Sequence, residues 1–308
     1  MGPRVALVFP GQGAQRPGML DSVPETEDMD RLLDAAEALS GLPLRSVAAS
    51  GSDGDLTDTR IAQPLLYLTD WAWGRALLDS GVTPCFVAGH SLGEIVALSI
   101  VGVFSVEAGL DLVVQRSRLM SEAALTSPGT MAAVLGLGRD AVVTAIQGLE
   151  DVYVANDNSP VQTVISGSVE GVARAGDTLT AAGARRVVPL RVGGAFHSPF
   201  MASAAAAFAD LLGGADFADA RIPVVPNSNP VPATSGAVLR ERLARQMVEP
   251  VRWTETVAML SDSGVDVVVE CGPSAVLKGL ARGTEVPLFL SVEADGVGPV
   301  LEEVGLGV

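Results

Sequence analysis

Residues that commonly carry covalent chemistry are scarce in this chain: two histidines, two cysteines and one lysine among 308 residues. Cys85 and Cys271 lack metal-ligand spacing, and each lies at one end of an apolar, strand-like run. Buried free thiols are therefore expected, not a disulfide framework. Positive charge is also short. Twenty Lys and Arg face 36 Asp and Glu, for a net charge of −16, which argues against nucleic-acid binding because phosphate recognition needs clustered cations. Lys278 is the one lysine and the other basic residues are arginines, as codon bias in a GC-rich genome would give. An acidic protein partner would be repelled overall and would need a local basic rim. The longest apolar run, Ile95 to Phe104, is too short to span a bilayer. Met1-Gly2-Pro3-Arg4 leads directly into a short strand with no signal-peptide pattern. A cytoplasmic protein without membrane contact is the expectation.

Apolar residues are plentiful at 48%, and charged residues make up 18%, so a large core is available and disorder is not expected. The length fits one large domain or a main domain with an insert. Val5–Phe9 and Cys85–Ala88 read as buried parallel strands. Helices are predicted over 27–39, Ile61–Leu78, Ser91–Ile100 and Ser105–Ala124. After Thr126-Ser127-Pro128-Gly129 the order becomes strand Met131–Leu135, helix Asp140–Leu149, strands Val152–Ala155 and Val161–Ser166, helix Val169–Ala182 and strand Arg185–Val192. This β-α-β-β-α-β order is that of a ferredoxin-like unit. Alternation then resumes: helix Pro199–Leu212, strand Pro223–Val225, helices Val238–Met247 and Thr254–Ser263, strand Val265–Cys271, helix Ser274–Arg282 and a last strand over 287–292. The predicted fold is α/β. A hydrolase-like parallel-sheet large subdomain (1–124 and 194–308) carries an inserted ferredoxin-like small subdomain (125–193), with the active site in the cleft between them.

Both histidines sit in motifs that can use them. Gly89-His90-Ser91-Leu92-Gly93-Glu94 contains G-x-S-x-G, placed between a buried strand and a helix as a nucleophile turn requires. A tight Gly-Ser-Gly turn without chemistry fits the same pattern. A serine hydroxyl is a weak nucleophile until a base takes its proton, and His197, in Gly194-Ala195-Phe196-His197-Ser198-Pro199, is the one imidazole besides His90 able to serve. His90 reads as a supporting residue of the turn. No acidic third member stands out, so a backbone carbonyl accepting the histidine Nδ1–H would make a Ser-His dyad. Gly11-Gln12-Gly13-Ala14-Gln15 is either an ordinary loop or, with Gln12 N–H and Leu92 N–H, an oxyanion hole.

These residues resemble one family. Phe9-Pro10-Gly11-Gln12-Gly13-Ala14-Gln15, Gly89-His90-Ser91-Leu92-Gly93-Glu94 and Ala195-Phe196-His197-Ser198 are similar to the malonyl-CoA:acyl-carrier-protein transacylases, including the acyltransferase domains of polyketide and fatty-acid synthases. Ile61-Ala62-Gln63-Pro64, Gln115-Arg116, Asn156-Asp157-Asn158-Ser159-Pro160, the stretch Gln246 to Trp253, and Glu270-Cys271-Gly272-Pro273 add to the likeness, which spans residues 5 to 290. The resemblance implies Ser91 as nucleophile, His197 as base, Gln12 and Leu92 as oxyanion donors, and Gln246 as the carbonyl that holds the histidine. It implies Arg116 as the clamp on the malonyl carboxylate, and Gln63, Asn158 and Gln162 as site-lining residues. On sequence alone Arg116 reads first as a surface helix arginine, and it is the resemblance that reverses this. Phe196 and Leu92 resemble malonyl-type rather than methylmalonyl-type members, because a phenyl ring beside the base leaves little room for a branch. Asp157 stands where an apolar or aromatic residue is common, which puts contacts to the CoA or carrier arm in doubt.

The implied reaction moves malonyl from malonyl-CoA, through a Ser91 acyl-enzyme, to the phosphopantetheine thiol of an acyl carrier protein of fatty-acid or polyketide synthesis. No metal or bound cofactor is expected, and a monomer is. Arg185, Arg186, Arg191, Lys278 and Arg282 are candidates for the basic docking rim. Three other functions fit the same residues: an acyl-thioester hydrolase passing the acyl group to water, the transacylase subunit of a malonate decarboxylase, and a non-catalytic docking subunit.

Overall fold

The computed structural model describes residues 2–24, 28–282, 284–286 and 288–307. Its strands are β1 (Val5–Phe9), β2 (Phe86–Gly89), β3 (Thr130–Leu135), β4 (Val152–Ser159), β5 (Gln162–Gly167), β6 (Arg186–Pro189), β7 (Val224–Val225), β8 (Val251–Arg252), β9 (Val267–Glu270) and β10 (Leu288–Ser291). They form two five-stranded sheets within a mixed α/β fold. The first has the order β10-β9-β1-β2-β7, and every neighbouring pair is parallel. Such a sheet must be covered on both faces, and β1 shows how. Val5, Leu7 and Phe9 enter the core under the helices Thr59–Asp79, Leu92–Ile100 and Val106–Thr126, whereas Ala6 and Val8 enter a second core with Trp253, Val257 and Leu260. Successive strand side chains point to opposite faces, so an uninterrupted apolar run is what a central strand needs.

The second sheet has the order β6-β3-β5-β4-β8. The pairs β3–β5, β3–β6 and β4–β5 are antiparallel, and β4–β8 is parallel. One face packs Ala132, Val134 and Ile165 against Val142, Val172 and Leu179 of the helices Arg139–Ile146 and Val169–Ala181. The other face presents Met131 and Val164 to the larger core. The fifth strand, β8, comes from beyond residue 194, so this sheet is completed by chain outside the 125–193 segment.

Two long helices carry site residues, and each begins at a side-chain cap. Asp58, ending the Asp-rich turn, accepts Arg60 N–H at 2.9 Å and starts Thr59–Asp79, while Ser105 accepts Ala108 N–H at 3.2 Å and starts Val106–Thr126. Such caps satisfy N–H groups the helix leaves unpaired.

Departures from the sequence reading have local causes. β4 runs on through Asn156 to Ser159, four polar residues that did not read as strand. Register irregularities fall at Val154/Asn156 and Asp157/Ser159, where such bulges re-aim side chains, and Asn156, Asp157 and Asn158 meet polar partners. β6 stops at Pro189, and beyond it Leu190 keeps one bond to β3, donating its N–H to Met131 O at 2.9 Å. The helix expected over 274–282 shortens to Val276–Leu280. The helix expected from residue 27 runs Met29–Ser40, and the last strand, expected from residue 287, runs Leu288–Ser291. Residues 27 and 287 themselves lie outside the described residues. Both cysteines are free; Cys271 is buried and Cys85 partly so.

Candidate active site

Ser91 follows the C-terminal end of β2 and occupies the N-cap position of the helix Leu92–Ile100 without a side-chain cap bond. Its backbone, φ 53° and ψ −106°, is one that side-chain-bearing residues seldom adopt. The flanking glycines make the turn possible: a Cβ on Gly89 would lie 1.9 Å from the carbonyl carbon of Gly93, and one on Gly93 would lie 2.0 Å from Phe9 O. Phe9 is register partner of Gly89, so the loop after β1 emerges beside this turn. A Cβ on Gly11 would fall 2.4 Å from His90 O, which shows how closely that loop lies over it. Gln12, Ser91 and Leu92 all line one cleft. Among the described residues neither Gln12 N–H nor Leu92 N–H has a hydrogen-bond partner. Two free donors and a helix N-terminus at a nucleophile suit a developing oxyanion.

His197 faces this turn across the cleft floor, also at positive φ, 54°. Its Nε2 lies 2.8 Å from Ser91 Oγ. Its Nδ1 lies 2.9 Å from Gln246 O and 3.2 Å from Glu249 O. Two carbonyls at Nδ1 fix the proton there, so the Nε2 lone pair faces the serine. Burial, then the cation of Arg116, then His90 push the imidazole down to about 3, so it is neutral at physiological pH.

Arg116 is fully buried and therefore no surface arginine. Nη1 donates to Gln63 Oε1 at 2.8 Å, and Nη2 donates to Gln246 Oε1 at 2.8 Å and to Ser91 Oγ at 3.2 Å. All three acceptors are neutral, and burial lowers the guanidinium to about 10. A buried cation without an ion pair is costly unless an anion arrives to meet it.

Two residues missed in the sequence reading hold the turn together. Asn227 accepts Ser91 N–H at 2.6 Å and donates Nδ2–H to Gly89 O at 2.5 Å, bracketing His90. Its own N–H donates to Glu94 Oε2 at 3.1 Å. Glu94 is 1% exposed and also accepts Gln246 Nε2–H at 2.9 Å. Burial raises this carboxyl to about 7. The Glu ending the nucleophile motif was a visible signal for Glu94; the loop Asn227-Ser228-Asn229-Pro230 gave none.

The cleft has a volume of about 710 Å³. Its walls come from the loops beyond β1 and β2 and from Met131, Asn156, Asn158, Gln162 and Val164 of the second sheet. Asn158 Oδ1 lies 2.9 Å from His90 Nε2, and Asn158 Nδ2 donates to Gln162 Oε1 at 2.9 Å. His90 stands edge-on to Trp253 at 5.6 Å, and no hydrogen bond links it to Ser91 Oγ. Phe196 and Gln63 also line the cleft. Asp157 does not: it faces away and accepts Thr254 Oγ1–H at 2.9 Å, so the departure at this position leaves the cleft untouched. Of the basic residues expected at a docking rim, Arg185, Arg186, Arg191 and Arg282 are exposed and form no ion pair among the described residues. Lys278 is instead bound to Asp295 at 2.6 Å, which withdraws it from that rim. Among the described residues no cluster of His, Cys, Asp or Glu is arranged to hold a metal ion, and no helix is long and apolar enough to cross a membrane.

Comparison with known proteins fits this arrangement. Residues 6–286 match the family model described as the acyl transferase domain. The malonyl CoA-acyl carrier protein transacylase of Synechocystis is 41% identical, over 91% of this chain and 94% of its own. The polyketide biosynthesis malonyl CoA-acyl carrier protein transacylase of Bacillus subtilis is 37% identical, over 90% of this chain and 95% of its own. A solved malonyl-transacylase, in complex with its type II polyketide synthase acyl-carrier protein, superimposes with a TM-score of 0.91 at 35% identity, covering 97% of this chain and 99% of that one. The chain belongs to the acyl transferase domain family, among the malonyl CoA-acyl carrier protein transacylases.

Proposed function

We propose that this protein transfers malonyl from malonyl-CoA to the phosphopantetheine thiol of an acyl carrier protein, by way of a Ser91 ester. The observation that carries the reading is Arg116: a buried guanidinium with only neutral acceptors, 3.2 Å from the nucleophile. A carboxylate at the far end of the acyl group would give that cation its missing partner through two parallel hydrogen bonds.

In this mechanism Ser91 Oγ attacks the thioester carbonyl carbon while His197 Nε2 takes the hydroxyl proton. The new C–O bond leaves charge on the former carbonyl oxygen, which Gln12 N–H and Leu92 N–H stabilise. Collapse breaks the C–S bond, and the imidazolium returns its proton to the departing CoA sulfur. The carrier thiol then repeats the sequence in reverse, losing its proton to His197 as sulfur attacks the ester. The Gln246 and Glu249 carbonyls hold the imidazolium that forms in each half. A malonyl carboxylate on Arg116 also offsets one of the charges that depress His197, so the correct acyl group improves its own base. Gln63 anchors the guanidinium, Asn158 and Gln162 line the path of the pantetheine arm, and Phe196 limits the space for a 2-methyl branch.

The strand order β6-β3-β5-β4 with two helices on one face supports reading 125–193 as a ferredoxin-like insert in a hydrolase-like frame of 1–124 and 194–308. The exposed Arg185, Arg186, Arg191 and Arg282 suit an acidic carrier that the net charge would otherwise repel. No bound cofactor enters the scheme, and cytoplasmic location as a monomer accords with it. The test is intact-protein mass after incubation with malonyl-CoA. Wild type should gain one malonyl group and lose it on adding carrier protein, whereas Ser91→Ala should gain none. A Ser91→Ala protein that still became malonylated would overturn the nucleophile, and an ester released equally fast with and without carrier would point to a hydrolase.

A further inference from the structure

We propose that Glu94 is a built-in counter-charge to Arg116, held one amide away, and that it sets how strongly the site prefers a carboxylated acyl group over a neutral one. Glu94 touches no reacting atom. It acts through Gln246, whose side-chain amide lies between the two charges. Gln246 Oε1 accepts Arg116 Nη2–H at 2.8 Å, and Gln246 Nε2 donates to Glu94 Oε2 at 2.9 Å and to Ser91 O at 2.8 Å. The reverse orientation would set an amide oxygen against a carboxylate and a carbonyl, and an amide N–H against a guanidinium. The amide therefore has one tenable polarity, and it relays negative charge toward Arg116.

No carboxylate comes within ion-pair distance of Arg116 among the described residues, and the ion pairs that do form lie at the periphery. The other groups that face Glu94 are the Asn227 N–H and the cation of Arg242, from the helix Gly236–Arg245. Glu94 is thus the buried anion through which Arg116 is compensated when no acyl group is present. An arriving malonyl carboxylate takes the same cation and meets repulsion from Glu94. A neutral acetyl group meets none. The counter-charge makes the empty site tenable and keeps malonyl binding weak enough for onward delivery.

This inference rests on reading Arg116 as the malonyl clamp, and the experiment separates the two. Malonyl-CoA and acetyl-CoA compete for wild type, Glu94→Gln and Arg116→Met, with ester formation followed by mass at pH 5.5 and pH 8.5. A Gln at 94 keeps an acceptor oxygen for Gln246 Nε2 and Asn227 N–H while removing the charge. At pH 8.5 Glu94→Gln should raise the malonyl-to-acetyl preference about tenfold, the scale of one charge at roughly 9 Å with an effective dielectric of about 20–30. At pH 5.5, where Glu94 is protonated, variant and wild type should converge. The wild-type preference should itself fall between those pH values, and in Glu94→Gln it should stay level. Glu270, also raised to about 7, is retained in the variant and serves as the control. A preference that keeps its pH dependence in Glu94→Gln would refute the assignment. So would equal losses of malonyl and acetyl transfer in Glu94→Leu that Glu94→Gln restores with wild-type selectivity, the pattern of a purely structural acceptor. If Glu94→Gln does not fold, the wild-type pH dependence decides alone: a level preference refutes the proposal. An Arg116→Met protein with unchanged preference would instead sink the clamp.

Discussion

Replacing Arg116 with methionine keeps the length and apolar stem of the side chain but removes the charge and its donors. In the proposed malonyl complex, two hydrogen bonds would join a guanidinium to a carboxylate, each worth about 1.5–3 kcal/mol as charge-assisted bonds. Losing both removes roughly 3–6 kcal/mol of transition-state stabilisation, a fall of about 10²–10⁴ in malonyl kcat/KM at about 1.4 kcal/mol per tenfold. Acetyl has no carboxylate and forms neither bond, so its kcat/KM should stay within about tenfold of wild type or rise. The substitution also strips Gln63 Oε1 and Gln246 Oε1 of their donor, which costs stability but bears equally on both acyl groups. The assay is single-turnover esterification of Ser91 from each thioester, with thermal unfolding as the check on folding. Parallel losses for malonyl and acetyl would refute the reasoning, since they would make Arg116 a general support of Ser91 rather than a reader of the carboxylate.

Three further outcomes follow. Because His197 is held down to about 3, malonylation should not fall between pH 7 and pH 5; a decline centred near pH 6.5 in kcat/KM would return the base to an ordinary imidazole. Stability behaves differently from activity: between about 3 and 6.5 the unfolded chain binds a proton that the folded His197 does not, so this group's contribution is lost as pH falls. Asn227→Ala leaves Ser91 N–H and Gly89 O without their partner, at about 1–3 kcal/mol each, so the melting temperature should drop and kcat should fall further than KM changes; an unchanged kcat in a destabilised protein would limit Asn227 to folding. Asp70 is fully buried, neither oxygen has a partner among the described residues, and burial followed by the charge of Glu270 pushes its carboxyl well up. The folded protein thus holds a proton that the unfolded chain loses above its ordinary range, so stability declines as pH rises, and Asp70→Asn should raise the melting temperature more at pH 8 than at pH 5; a gain independent of pH would contradict this.

Much of this site was legible in the chain because its key groups are rare or tightly spaced. With two histidines, the partner of Ser91 was nearly determined, and the fold sets His197 Nε2 2.8 Å from Ser91 Oγ. The first sheet was readable because β1, β2 and β9 are short apolar runs with few other uses. The network behind the dyad was less legible. Arg116 looked like any helix arginine until the fold enclosed it. Gln246 was expected to offer a carbonyl, and its side chain also bonds Arg116, Ser91 O and Glu94, which was not legible because a glutamine gives no sign of which way its amide will point. Asn156–Ser159 did not read as strand because polar residues there serve the cleft and Thr254 rather than a core. β8 was missed because two residues, Val251 and Arg252, are too few for any periodicity.

The short segment from Gln246 to Arg252 has a mechanical meaning. Its first carbonyl and that of Glu249 grip the His197 ring. Its last two residues pair with β4, and Arg252 N–H donates to Asn227 O at 2.9 Å. Seven residues therefore strap the second sheet, the imidazole and the serine turn to one another. Prising the sheets apart would put this strap under tension and drag the base off the serine before the mouth widened. A cleft so strapped would act as a fixed jaw, and a tether that let the two sheets separate would be expected to loosen the Ser91–His197 contact first.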